Sequence, residues 1–168
     1  MSVAQNGEQS PNKSLEGRWR LISGSVGRRT GTARGIVIHL LGNDALEFEL
    51  QQATVTRLAE DGRPIPNPIS VSGHGRGIWR LISEKTTGQS WLIVLEGLCL
   101  TQFRIHPRRG PPIPLPIQAL QNRISRQLSR IENLPLSIEL NAPDLQLVGM
   151  SHGMPLMFQF EVEPTRAC

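Results

Sequence analysis

Apolar and charged positions alternate most strictly at Leu46-Glu47-Phe48-Glu49-Leu50. That period puts one apolar and one charged face on a single extended ribbon, and the strand is expected to continue through Val55. The same period of two returns near the C-terminus. Leu134, Leu136, Ile138 and Leu140 alternate with polar positions, and Leu156, Phe158, Phe160 and Val162 alternate with Gln159, Glu161 and Glu163. Each run predicts a strand, with Leu145 and Leu147 on a shorter one between the turns at 141–144 and 149–153. Two further segments share a local pattern, Gly17-Arg18-Trp19-Arg20-Leu21-Ile22-Ser23 and Gly77-Ile78-Trp79-Arg80-Leu81-Ile82-Ser83. Both read as strand entries, with the indole turned inward and the arginines outward.

Glycine and proline punctuate these runs. Gly24 to Thr32 is expected to be a flexible basic loop, and Ile36 to Leu41 a short strand ended by the turn Gly42-Asn43-Asp44. Asp61 to Pro68 reads as a turn and a stiff extended connection, because each proline fixes φ and withholds a ladder donor. Ile69 to Ser72 reads as a short edge strand, and Gly73-His74-Gly75-Arg76-Gly77 as a glycine-dense corner. After a hairpin-like gap at 84–88, the apolar stretch from Ser90 to Ile105 is either two strands or one strand bent near Gly97. Pro107 to Pro116 is proline-rich and extended. One helix is expected, over about 117–132. Ile117, Leu120, Ile124, Leu128 and Ile131 recur at helical spacing, Arg123, Arg126 and Arg130 form a basic flank, and Asn133 and Pro135 end it. The inventory predicts a mainly β domain, a single antiparallel β-barrel or strongly curved sheet of about 8–10 strands with one amphipathic α-helix. Residues 14–164 would form it, with 1–13 a disordered lead-in and 165–168 a tail.

Composition narrows the function classes. Hydrophobic residues at 38% and charged residues at 19% fit a globular domain, and no apolar run approaches the ~20 residues a membrane-spanning helix needs. Cys99 and Cys168 offer no disulfide framework, and the polar start has no apolar signal core, so a cytoplasmic, non-secreted protein in a reducing compartment is expected. The net charge of +4 is carried mostly by arginine, which leans toward anionic partners. His39, His74, His106 and His152 stand apart without metal-ligand spacing, so no metal is expected. No Gly-x-Ser-x-Gly elbow accompanies Ser151-His152, and Gly73-x-Gly75-x-Gly77 lacks the lysine and helix of a phosphate cradle. Glu47 and Glu49 read as a solvated strand face. No catalytic residues, no cofactor and no enzyme activity are expected. Arg28-Arg29, Arg108-Arg109 and Arg123-Arg126-Arg130 read first as solvated surface and could also meet phosphates or lipid head groups; no aromatics interleave with them, which disfavours nucleic acid. A barrel of this strand count either fills itself or keeps room for one small ligand. Trp19, Phe48, Trp79, Phe103, Phe158 and Phe160 are the candidate cavity residues, and the two tryptophans read first as packed floor and second as cavity lining.

Leu15-x-Gly17-x-Trp19-x-Leu21-Ile22-Ser23 resembles the opening motif of the plastid lipid-associated proteins, or fibrillins, a lipocalin-like family of chloroplasts and cyanobacteria. Phe103 to Pro116, Asp144 to Leu147 and Leu156-Met157-Phe158 follow the layout of that family's last strands. The chain departs from it at Ser23-Gly24-Ser25, where the family carries Tyr-Thr-Ser. The resemblance implies a lipocalin-like barrel that binds or carries a lipid, quinone or carotenoid at or near a thylakoid-type membrane, in a prokaryotic member or a mature form. The competing expectation is an assembly factor with a solid barrel, whose edge strands and arginine patches bind a protein partner.

Overall fold

A computed structural model describes residues 12–65, 69–83, 91–107 and 117–164. The elements are α1 (Asn12–Leu15), β1 (Gly17–Val26), β2 (Arg29–Leu40), β3 (Ala45–Leu58), β4 (Pro64–Ile65), β5 (Ile69–Ser83), β6 (Trp91–Pro107), α2 (Ile117–Ile131), β7 (Leu136–Asn141), β8 (Asp144–Ser151) and β9 (Met154–Val162). Sequential strands are antiparallel neighbours; β9 returns to pair with β1, and β2 pairs with β3, which closes an eight-stranded meander. The two-residue β4 adds to the end of β3 outside this ring. Closure pairs the strand edges around the ring except along β6, which meets β7 only at Leu92 and Ile93, and alternation then decides which residues fill the interior.

The two ends of the barrel differ. At one end lie α1, the β2–β3 turn and the last residues of β9. Gly17, with φ +132, reverses the chain out of α1 into β1, a conformation side-chain-bearing residues avoid. That reversal tucks Leu15 beneath Trp19, whose Nε1–H donates to the Leu15 carbonyl at 2.8 Å. The Trp79 Nε1–H donates to the Leu41 carbonyl at 3.1 Å, and its amide donates to the Asp44 carbonyl. The repeated Trp segments thus converge on one floor, each indole burying its ring while its N–H finds a backbone acceptor. Leu15, Leu40, Leu46, Ile93, Leu136 and Leu145 complete that floor, each about 1% exposed. Side chains of this size each contribute roughly 1.5–3 kcal/mol on full burial.

Three expectations are corrected. The stretch Gly73 to Gly77 is no corner, and Ile69 to Ser72 is no edge strand; both belong to the single fifteen-residue β5, paired to β3 on one side and β6 on the other. Gly73, Gly75 and Gly77 occupy inward positions, opposite Leu50, Phe48 and Leu46. The Phe48 ring lies directly over Gly75, in the space a β-carbon there would fill. The expected loop at Gly24 to Thr32 is strand except for the tight turn at Gly27-Arg28, with Ser23, Gly24 and Ser25 paired to Thr32, Gly31 and Thr30. Its glycines serve close packing as well: Gly24 stands against the Phe158 ring. The apolar stretch through Gly97 is one seventeen-residue strand with register shifts opposite β5. The helix agrees with expectation within a residue, and Asn133, at φ +61, ends it in the left-handed conformation asparagine tolerates. Asn12 and Lys13, expected in the lead-in, form α1. The remaining lead-in at 1–11, the gap at 84–88, the proline arm at 108–116 and the tail at 165–168 lie outside the described residues. Among the described residues no helix is long and apolar enough to cross a membrane.

Candidate functional site

The opposite end carries the β1–β2 hairpin, the start of β5, the end of β6 and the β8–β9 hairpin. Inward-facing positions at this end are mostly half-buried, whereas the floor mixes fully buried residues with the half-buried Leu81, Leu95, Ile138 and Leu140. Leu21, Ile38, Leu98, Leu100 and Phe158 form a middle tier, partly buried and packed on the floor cluster. Beyond them Val26, Ile36, Leu50, Val71, Phe103 and Ile105 remain half-buried, although register places them with the inward faces of β1, β2, β3, β5 and β6. A barrel packed along its whole length would bury such residues as completely as the floor cluster. Leu156, at 4% exposed, is the large apolar side chain of this end that is fully covered. The end that α1 closes thus holds the fully buried cluster, and partly exposed apolar residues gather at the other end, the mouth.

The candidate cavity residues divide between these regions. Trp19, Trp79, Phe48 and Phe160 sit in the floor cluster. Only Phe158 and Phe103 reach the accessible part, Phe158 in the middle tier and Phe103 at the mouth. The structure therefore brings together four of the six rings as packing and leaves two as lining. Of the aliphatic lining around them, Leu21 belongs to the Gly17-x-Trp19 motif, while Ile36, Leu50, Leu100 and Ile105 came from no motif. Their signal in the sequence is the period of two within β1, β2, β3 and β6.

The arginine candidates are equally divided. Arg123, Arg126 and Arg130 are exposed on α2, and Arg28 and Arg29 are exposed at the β1–β2 turn; Arg108 and Arg109 lie outside the described residues. None of the five described ones forms an ion pair among the described residues. By contrast, Arg18 donates to Glu163 at 2.6 Å and to Glu49 at 3.1 Å, Arg20 pairs with Glu161, and Arg80 with Glu96. Glu49 is thus no simple solvated carboxylate. Hydrogen bonds donated by Arg18 and then Gln51 hold its pKa below the usual carboxylate range, and those that Arg18 donates to Glu163 and Glu49 raise its own.

Sequence spacing gave no sign of one polar contact, that between Ser72 and His106. Its Oγ lies 2.9 Å from His106 Nε2 and accepts the Gln52 amide N–H at 3.1 Å. Gln52 has φ +47 and stands at the irregularity where β3 carries one extra residue against β5. No carboxylate among the described residues is hydrogen-bonded to His106, so the orienting member of a catalytic triad is not among its contacts. The contact braces a bulge across three strands. Among the described residues no three His, Cys, Asp or Glu side chains converge on a metal position. A polar depression of about 190 Å³ on the outer wall is lined by Glu139, Asn141, Asp144, Leu145, Gln146 and Gln159. It faces away from the barrel interior.

No known family model and no curated protein matches the chain. What the fold defines is a class, a closed eight-stranded antiparallel β-barrel with one flanking strand and a single long helix among the described residues.

Proposed function

We propose that this protein binds and carries an apolar small molecule, a lipid tail, quinone or carotenoid, in the mouth of its barrel, without bond chemistry. The observation that carries this reading is the difference in burial between the two ends. The fully buried floor cluster is 1–8% exposed, while Ile36, Leu50, Phe103 and Ile105 on the same inward faces are half-buried. Leaving apolar lining in water forfeits about 25 cal/mol per Å², and an apolar ligand recovers it. The lining presents aliphatic side chains and two phenyl rings, which suits flexible hydrocarbon better than a polar or hydrogen-bonding ligand.

The test has two arms. Organic-solvent extraction of the purified protein, followed by mass spectrometry, is expected to release a bound apolar molecule. Titration with a carotenoid, a quinone and a fatty acid is expected to quench tryptophan fluorescence in a saturable way for at least one of them. Phe158→Asp should weaken that binding about tenfold or more, since a carboxylate in the lining must be desolvated by the ligand. An empty protein that none of the three quenches would overturn the reading and favour a solid barrel with a protein partner.

A further inference from the structure

The barrel is polarised along its axis, in charge as well as in packing. At the floor end, Asp44, Glu47, Glu139, Asp144, Glu161 and Glu163 gather around the turns at 41–44 and 142–143, and the neighbouring Arg18 and Arg20 are tied up in ion pairs with glutamates. The mouth end has the opposite composition. Arg28 and Arg29 stand at the β1–β2 turn, Arg57 near the end of β3 and Arg104 near the end of β6, all exposed and without an ion pair among the described residues. The acids at this end are Glu60 and Asp61, and Asp61 is matched by Arg63 at 3.3 Å.

Helix α2 carries a second basic stripe and ends at floor level, where Leu128 packs on the floor cluster and Leu95, beside Asn133, is the register partner of Trp79. It follows β6, whose last residue Pro107 pairs with Ile69 at the mouth, and its C-terminus is tied back to the wall by the bond from the Asn133 amide to the Leu95 carbonyl. Ile124, Leu128 and Ile131 are half-buried, whereas Arg123, Arg126 and Arg130 are exposed. At 100° per residue, the spacing i, i+3, i+7 gathers those three arginines into one narrow stripe. No acidic residue occurs between Ile117 and Ile131.

Exposed apolar residues sit among these charges. Ile65 (43%), Met150 (59%), Met154 (44%) and Met157 (41%) are exposed at the mouth end, three of them on the β8–β9 hairpin. Arginines beside protruding aliphatic tips, at one end of a molecule whose other end is acidic, match an anionic lipid surface: phosphates meet guanidinium groups while apolar tips enter the acyl boundary. Nucleic acid would call for aromatic stacking platforms among the arginines, and the rim offers methionine and isoleucine instead.

We infer that the mouth end is a docking collar for anionic bilayers, which seats the barrel against the membrane so that an apolar ligand enters from lipid without crossing water. The entry step rests on the ligand-binding reading; the docking itself does not. The full-length protein is floated with vesicles of phosphatidylcholine alone or mixed with phosphatidylglycerol. It should float with the mixed vesicles only, and half-molar salt should release it. Replacing Arg28, Arg29 and Arg104 together by Ala should weaken binding on the order of 100-fold, at about fivefold per charge. Met150→Asp should weaken it further, and Arg76→Ala, on the wall nearer the floor, should leave it unchanged. Circular dichroism checks that each variant is folded. Failure of the wild type to float, equal flotation on neutral vesicles, an unaffected triple variant, or tighter binding to duplex DNA than to mixed vesicles would each overturn the collar. Flotation with no extractable or titratable ligand would leave the collar standing and remove the binder reading, while ligand binding without flotation would do the reverse.

Discussion

Arg18 shows how a single side chain on the outer wall ties four strands. From β1 it reaches Glu163, just beyond β9, and, across β2, Glu49 on β3. Val37, in register with Arg20 and Glu49 on that outer face, is only 2% exposed, so the stems of these long side chains cover it. The ion pair contributes little by itself, because Arg18 and Glu49 are 37% and 30% exposed and water screens them. Its sign with pH is nonetheless definite. The Glu49 carboxyl is lowered in the folded state, mainly by the Arg18 hydrogen bond. The contribution is therefore fully present above the unfolded value of about 4.3, and is lost as pH falls through the depressed folded value. Glu49→Gln should cost up to about 1 kcal/mol at neutral pH. Urea melts at a series of pH values should show the gap between variant and wild type closing below about pH 4. A gap that persists in acid would mean that packing over Val37, not charge, supplies the effect.

At the scale of elements, β5 explains both what the sequence disclosed and what it hid. The strand at Leu46 to Leu50 was legible because large apolar residues fill its inward positions and glutamates its outward ones. β5 has the same period of two, but Gly73, Gly75 and Gly77 occupy its inward positions while His74 and Arg76 face out. Glycine carries no hydropathy signal, so a strand whose inner face is deliberately bare reads as a corner. At Gly75 the bareness belongs to β3, because Phe48 needs the volume above it, and at Gly73 and Gly77 to β6, whose Gln102 carbonyl and Leu98 side chain stand where a β-carbon would go. Gly75→Ala should then destabilise the barrel by about 1–3 kcal/mol, as an overpacked core does. Paired with Phe48→Leu, the same alanine should cost much less, and a double-mutant cycle by urea denaturation gives the coupling directly. Additive effects would show that Gly75 is required for its backbone rather than for the ring above it. The Ser72–His106 brace was hidden for a related reason, since residues far apart in the chain meet only once β5 and β6 have chosen their register.

For the whole molecule, the closed barrel and its helix were foreseeable from periodicity, whereas the division into floor and mouth was not. Trp19, Phe48, Trp79 and Phe160 went to the floor, and Phe103 and Phe158 to the accessible part. All six have the same local signature, an inward ring on an alternating strand. What separates them is distance from the end that α1 closes, and that depends on where each hairpin turns and how far neighbouring strands are staggered. No window of sequence holds that information. The asymmetry has a dynamic consequence that does not depend on any ligand. Opening the floor exposes a fully buried cluster and must approach global unfolding, while opening the mouth exposes little that water does not already reach. Native-state hydrogen exchange should accordingly find the amides of Trp19, Leu40, Leu46 and Trp79 among the slowest. Those of Val26, Val71 and Phe103, in equally regular strands, should exchange faster by roughly 100-fold or more. Adding a saturating apolar ligand should slow the second group and leave the first unchanged, because only the mouth gains cover. Uniform protection along the strands would mean that the barrel is one cooperative packed unit and that its exposed lining has no functional use.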